Sequence, residues 1–207
     1  DITTRDRRQR QMCIRDSSYN RKKWYLCYHA TQYINAVSVG VYHTCSSDEV
    51  EWIVGNSESK IVFLGNNPND NNEKEKMPNH RLFAILDKLE KVEFVVTLPG
   101  VTTIDHDKII TWDKFIEMGI KIGDEELEER FNEISPDSTS ALIYTSGTTG
   151  NPKGVILTHD NWDFECQQLL TVANFEPGDK SISWLPGAHV FGPVSYTHLT
   201  LPTISCV

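Results

Sequence analysis

The chain has no apolar run near the roughly 18–20 residues that a membrane-spanning helix requires. Positive charge is short as well: 20 Lys and Arg face 29 Asp and Glu, for a formal net charge of −9. That balance does not favour nonspecific binding to nucleic acid or to an anionic membrane surface. The five cysteines, at positions 13, 27, 45, 166 and 206, form no C-x-x-C pair and no disulfide ladder. A reducing compartment, the cytoplasm, is therefore expected. Cys27, Cys45 and Cys166 read as small hydrophobes. His29 and His43 lack an acidic or Cys partner at ligand spacing and read as structural, so no metal-ligating residue is assigned. No internal repeat and no second domain boundary is visible.

What the chain does have is Tyr144-Thr-Ser-Gly-Thr-Thr-Gly-Asn-Pro-Lys-Gly154. Gly147, Gly150 and Gly154 allow positive φ and close approach of backbone to a ligand. Successive N–H groups in such a turn form an anion-binding concavity. The hydroxyls of Thr145, Ser146, Thr148 and Thr149 add donors that rotate to suit oxygen acceptors. Lys153 supplies a mobile positive charge, and Pro152 stiffens the turn before it. Nothing in the stretch is a good nucleophile or takes a proton from a substrate. It reads as a phosphate cradle, against the plain alternative of a flexible Gly/Thr surface turn. The spacing is not that of the mononucleotide P-loop, because Lys153 follows Pro152 and precedes Gly154. Ala141–Tyr144 and Val155–Leu157 are short β-prone runs, so a strand–loop–strand hairpin is predicted.

The remainder alternates. A helix is predicted from Lys23 to about Val37 and a buried strand over Val37–Tyr42. Ser46 with Glu49 forms a capping box, opening a helix to about Gly55. Lys60–Leu64 is a strand, and the Asn-rich stretch from Gly65 to His80 a surface loop. A helix over His80–Val92, a strand over Glu93–Leu98, a short strand at Lys108–Ile110 and a helix over Trp112–Met118 follow. The acidic helix Asp124–Ile134 presents a solvated face. After the hairpin, Thr158 to about Asn174 is helical, with Trp162, Cys166, Leu169, Leu170 and Val172 available for packing, and Lys180–Leu185 is a last strand. Such alternation predicts an α/β fold with a doubly wound, mostly parallel sheet, helices on both faces and a phosphate-loop hairpin.

Tyr144 to His159 resembles the phosphate-loop signature of adenylate-forming enzymes, a family of acyl-CoA synthetases, peptide-synthetase adenylation domains and luciferases. Trp184-Leu-Pro-Gly-Ala-His-Val-Phe191 is similar to that family's Leu-Pro-x-x-His motif near the acyl pocket. Asn20-Arg-Lys-Lys-Trp24 and Gly40–Val50 look most like the long-chain fatty acyl-CoA ligase branch. The resemblance implies part of an N-terminal AMP-binding domain. It assigns Thr145, Ser146, Gly147, Thr148, Thr149, Gly150 and Lys153 to the β- and γ-phosphates of ATP. His189 would lie beside the adenylate and acyl chain, with a packed core histidine as its competitor. ATP, Mg²⁺ and coenzyme A are the implied cofactors, and a fatty acid the implied acceptor of AMP. The family's adenine motif, its Mg²⁺-contacting Glu, its hinge and its C-terminal lysine would lie beyond Pro193, so the chain by itself is expected to be inactive. A non-catalytic nucleotide-binding module, or an adenylation domain for an aryl or amino acid, stays open beside the ligase reading.

The two ends stand apart. Arg7–Asp16 can be encoded by CGTCGGCAGCGTCAGATGTGTATAAGAGAC, and the reverse complement of that string, read from its first base, encodes Val194–Thr203. Two termini encoding the two strands of one element resemble a translated sequencing adapter. Residues 1–17 and 194–207 are therefore expected to be non-native and 18–193 the native part. Five Arg and three Asp leave with the first end, so the body is more acidic than the whole.

Overall fold

The computed structural model describes residues 11–15, 22–65, 78–145 and 150–172, with backbone alone for 11–15 and 78–80. Besides one 3₁₀ turn, thirteen α-helices and strands follow one another among the described residues: β1 (Gln11–Arg15), α1 (Lys22–Tyr33), β2 (Val37–Val41), α2 (Ser47–Asn56), β3 (Ile61–Leu64), α3 (Pro78–Phe83), β4 (Phe94–Thr97), β5 (Ile109–Thr111), α4 (Trp112–Gly119), α5 (Asp124–Asn132), β6 (Thr139–Thr145), β7 (Lys153–Thr158) and α6 (His159–Val172). The strands form one sheet in the order β5-β4-β3-β1-β2-β6-β7. Every neighbouring pair is parallel except β6 and β7, which are antiparallel.

Alternation along the strands explains the two layers of helix. Val37, Val39 and Val41 of β2, Val62 and Leu64 of β3 and Val95 of β4 point to one face. There they bury against Val50, Ile53 and Val54 of α2 and against Leu82, Ile85, Leu86 and Leu89. Phe63 and Val96, one residue out of step, bury on the other face with Trp24, Cys27 and Tyr28 of α1. The period of two thus sends apolar side chains to both faces, as a parallel sheet covered on both sides requires. Trp24 and Tyr28, one helical turn apart, stack with centroids 5.1 Å apart. Lys23 Nζ sits 4.7 Å from the centroid of Trp112, tying α1 to α4.

Helix ends are closed locally. Ser46 Oγ accepts from the Glu49 N–H at 3.2 Å and Glu49 Oε2 accepts from the Ser46 N–H at 2.7 Å, the capping box expected from the sequence. At the other end of α2, Ser59 N–H reaches Val54 O and Glu58 N–H reaches Gly55 O, with Glu58 at φ 51°. This is a Schellman closure with a glutamate where glycine is usual. Asn35, at φ 53°, closes α1 the same way.

Three elements differ from expectation. The predicted helix over His80–Val92 is two pieces, α3 and a single 3₁₀ turn at Leu86–Lys88. Leu82, Ile85, Leu86, Leu89 and Val92 are all buried, and Ile85, Lys88, Leu89 and Val92 donate to carbonyls three residues back. Bonds to the third residue back, in place of the fourth, wind tight turns and not an α-helix. Residues 11–15, set aside by sequence as foreign, form a strand in register with both β2 and β3. A slot between two parallel strands is filled by any short β-prone run, and Met12-Cys13-Ile14 is one. In α6, no residue is fully buried; Leu170 and Val172 are exposed, while Trp162, Cys166 and Leu169 are half-buried. The predicted strand at Lys180–Leu185 and the stretch 66–77 lie outside the described residues.

Candidate functional site

β6 runs parallel to β2, so the hairpin it opens leaves the sheet at its carboxyl edge, where open α/β sheets place their ligand-binding loops. The root of β6 is held by α1 and β2: Gln32 Nε2 donates to Ser140 Oγ at 2.7 Å, and Ser38 Oγ donates to Ser140 O at 3.1 Å. From there the register runs Ala141 with Leu157, Leu142 with Ile156, Ile143 with Val155, Tyr144 with Gly154 and Thr145 with Lys153. Thr145 and Lys153 are thus cross-strand partners at the base of the tip, and both are exposed. Among the described residues, no ion pair engages Lys153.

Two of the three glycines have distinct physical reasons. Gly150 stands at φ 97° with no atom within 4 Å of where a Cβ would sit, so its backbone conformation alone calls for glycine. Gly154 has the opposite reason. A Cβ there would lie 3.1 Å from Tyr144 Cζ and 3.3 Å from its Cε1 and Oη. Ser146, Gly147, Thr148, Thr149 and His189 lie outside the described residues; of the predicted set the structure describes Thr145, Gly150 and Lys153, and it pairs Thr145 with Lys153.

Sequence reasoning missed what holds the hairpin. Tyr144 is nearly fully buried, and its Oη donates to Asn56 Oδ1 of α2 at 2.6 Å. Trp52 of α2 donates its Nε1–H to the carbonyl of Pro152 at 2.9 Å. The only signal in the sequence is an indole on a helix whose apolar stripe, Val50, Ile53 and Val54, does not need it. An open groove of about 550 Å³ runs beside the hairpin, lined among others by Trp52, Asn56, Lys88 and Asn151. Its charge is partly cancelled, since Lys88 Nζ is 2.8 Å from Glu51 Oε2, both exposed. The far end of β7 passes into α6 through a reciprocal Thr158–Asn161 pair of hydrogen bonds at 3.0 and 3.2 Å. His159 follows, with its Nε2 buried and unpartnered among the described residues, and burial lowers its pKa.

Among the described residues no three His, Cys, Asp or Glu side chains come together as a metal site, and no helix is long and apolar enough to cross a membrane. The same fold occurs in a red-emitting luciferase from Phrixothrix hirtus (TM-score 0.68, 15% identity, covering 90% of this chain and 33% of that one). It occurs also in ATP-bound MatB from Rhodopseudomonas palustris (TM-score 0.61, 22% identity, 93% and 34%). In sequence the chain is 26% identical over 187 residues to a long-chain-fatty-acid–CoA ligase of Xenopus laevis, covering 88% of this chain and 24% of the relative. It is 30% identical over 186 residues to the peroxisomal long chain acyl-CoA synthetase 7 of Arabidopsis thaliana, covering 86% and 24%. The chain thus spans about a quarter of the length of these curated relatives. The family model for AMP-binding enzymes matches residues 17–203, most of the chain; the chain belongs to that family.

Proposed function

We propose that the 145–153 hairpin grips the β- and γ-phosphates of Mg·ATP, in a parent protein that activates a long-chain fatty acid as acyl-AMP and passes it to coenzyme A. The observation that carries this reading is Lys153, exposed and free of ion pairs among the described residues, directly opposite Thr145 at the carboxyl edge of the sheet. A carboxylate is a poor acyl donor because oxide would have to leave. Attack by the carboxylate on the α-phosphorus expels pyrophosphate instead, and a thiol then displaces AMP. Such chemistry needs positioning and charge stabilisation more than proton transfer. Lys153 and the hydroxyl of Thr145 supply charge and a donor, and Gly150 lets the backbone turn between them. No residue is assigned to Mg²⁺, which would arrive on the nucleotide.

The fatty acyl branch rests on the relatives' names and on the Asn20–Trp24 and Gly40–Val50 stretches. His189 remains the proposed neighbour of the adenylate. The proposed location is the cytoplasm, with peripheral membrane contact of the parent left to experiment. Residues 1–17 and 194–207 remain proposed as adapter-derived, and the chain by itself as inactive; turnover in a pyrophosphate-release assay would refute that inactivity.

The direct test is calorimetric titration of the chain with Mg·ATP and with tripolyphosphate. Lys153→Ala removes a charge-assisted contact at an exposed position and should weaken both by about tenfold. Unchanged affinity would refute the assignment.

A further inference from the structure

We infer that α2 is the positioning element of the phosphate hairpin, acting through Trp52 and Asn56; the inference deepens the nucleotide-binding reading above and rests on it. Trp52 and Asn56 are four residues apart, so they share one face of the helix. From that face one helix holds both limbs of the hairpin. Asn56 accepts from Tyr144 on the ascending strand at 2.6 Å, and Trp52 donates to the Pro152 carbonyl on the descending side at 2.9 Å.

The second bond matters most for chemistry. The carbonyl of Pro152 and the N–H of Lys153 belong to one planar peptide unit. Fixing that carbonyl fixes the plane from which the Lys153 side chain departs. The ammonium sits on a flexible four-carbon stem, so the orientation of its root determines which volume it samples. Packing does not account for Trp52: its side chain is 39% exposed, whereas the core face of α2 is made by Val50, Ile53 and Val54. The helix is itself a firm reference, closed by the Ser46–Glu49 box at one end and by the Glu58 and Ser59 amides at the other. Neither Trp52 nor Asn56 would touch the nucleotide. Their role is to set where Lys153 stands before it arrives, which lowers the ordering cost of binding.

The test uses the whole chain and inorganic tripolyphosphate. Trp52→Phe keeps an aromatic ring and removes the N–H. Binding by calorimetry should weaken roughly three- to tenfold. Amide exchange over 150–154 should quicken, with the thermal midpoint and exchange within α2 unchanged. A purely structural Trp52 would move the midpoint and leave affinity alone, which would overturn the inference. Tyr144→Phe keeps the ring over Gly154, removes the other bond and should give the same weakening of binding and quickening of exchange, with a lower midpoint from the loss of a part-buried hydrogen bond, which covers a failure of Trp52→Phe to fold. Wild-type affinity and exchange in these variants overturn the inference and leave the nucleotide-binding reading in place. No tripolyphosphate binding by the wild-type chain overturns both.

Discussion

Alanine in place of glycine should destabilise the protein at positions 154 and 150 and stabilise it at 55, each for a different reason, and Gly154→Ala is the most telling of the three. On an extended strand, Gly→Ala ordinarily stabilises by about 0.4–1 kcal/mol, because the unfolded chain loses freedom. At Gly154 the new methyl would meet the Tyr144 ring at 3.1 Å. That ring cannot retreat easily: it is packed into the main core and its Oη is tethered to Asn56 at 2.6 Å. Overpacking of this kind costs about 1–3 kcal/mol, and stretching the tether forfeits part of a hydrogen bond worth about 0.5–1.5 kcal/mol. The cost exceeds the gain, leaving a net loss of about 1–2 kcal/mol, which for a chain of this size lowers the thermal midpoint by roughly 2–8 °C. Gly150→Ala should also destabilise, by about 1–2 kcal/mol, for its backbone at φ 97° and not for any contact. Gly55→Ala, in α2 with nothing within 4 Å, should stabilise by about 0.5–1 kcal/mol. Urea and thermal unfolding of the three variants decide the matter. In Asn56→Ala, which frees the ring, adding Gly154→Ala should cost less than it does in the wild type, by about 0.5–1 kcal/mol of coupling. A Gly154→Ala variant as stable as Gly55→Ala would refute the reasoning.

Ser46→Ala removes the side chain that caps α2 and should cost about 1 kcal/mol in urea unfolding; no loss would mean that Glu49 and water cap the helix unaided. Burial lowers the pKa of His29 and of His159 from 6.5. Near pH 6.5 and below, the unfolded chain therefore holds more protons than the folded one, so this contribution to stability is complete above about 6.5 and is lost as the pH falls. Urea midpoints should drop between about pH 7.5 and about pH 5.5, and His29→Gln with His159→Gln should flatten the drop; parallel slopes would count against it.

Elements written locally were legible in the sequence. The Ser46–Glu49 box is two side chains three residues apart, and the hairpin is two β-prone runs around glycines, so neither needs the rest of the fold to be seen. The strands at Ile61 and Phe94 declare themselves by apolar runs, which a sheet covered on both faces demands, and the strand at Val37 by valines at every second position. What stayed hidden depends on distant partners. The strand at Gln11–Arg15 exists because β2 and β3 offer hydrogen-bonding edges on either side of it. The interruption after Phe83 reflects how Ile85, Leu86 and Leu89 fit the core, although the same residues read as a helical stripe. In α6, Leu170 and Val172 were expected to pack, but the described neighbours reach only the side carrying Trp162, Cys166 and Leu169. Of the candidate site, residue types and the turn were visible. The contacts from Trp52 and Asn56 were not, since they bridge sequence separations of 100 and 88 residues.

The antiparallel return of β7 carries an electrostatic consequence. Many phosphate sites lean on the positive end of a helix macrodipole, about half an elementary charge shared by aligned peptides. Behind this turn stands another strand, whose peptide dipoles largely cancel. An anion seated at the tip would draw its counter-charge from individual amides and from one ammonium, so its hold should slacken with added salt and should weaken when that ammonium is lost.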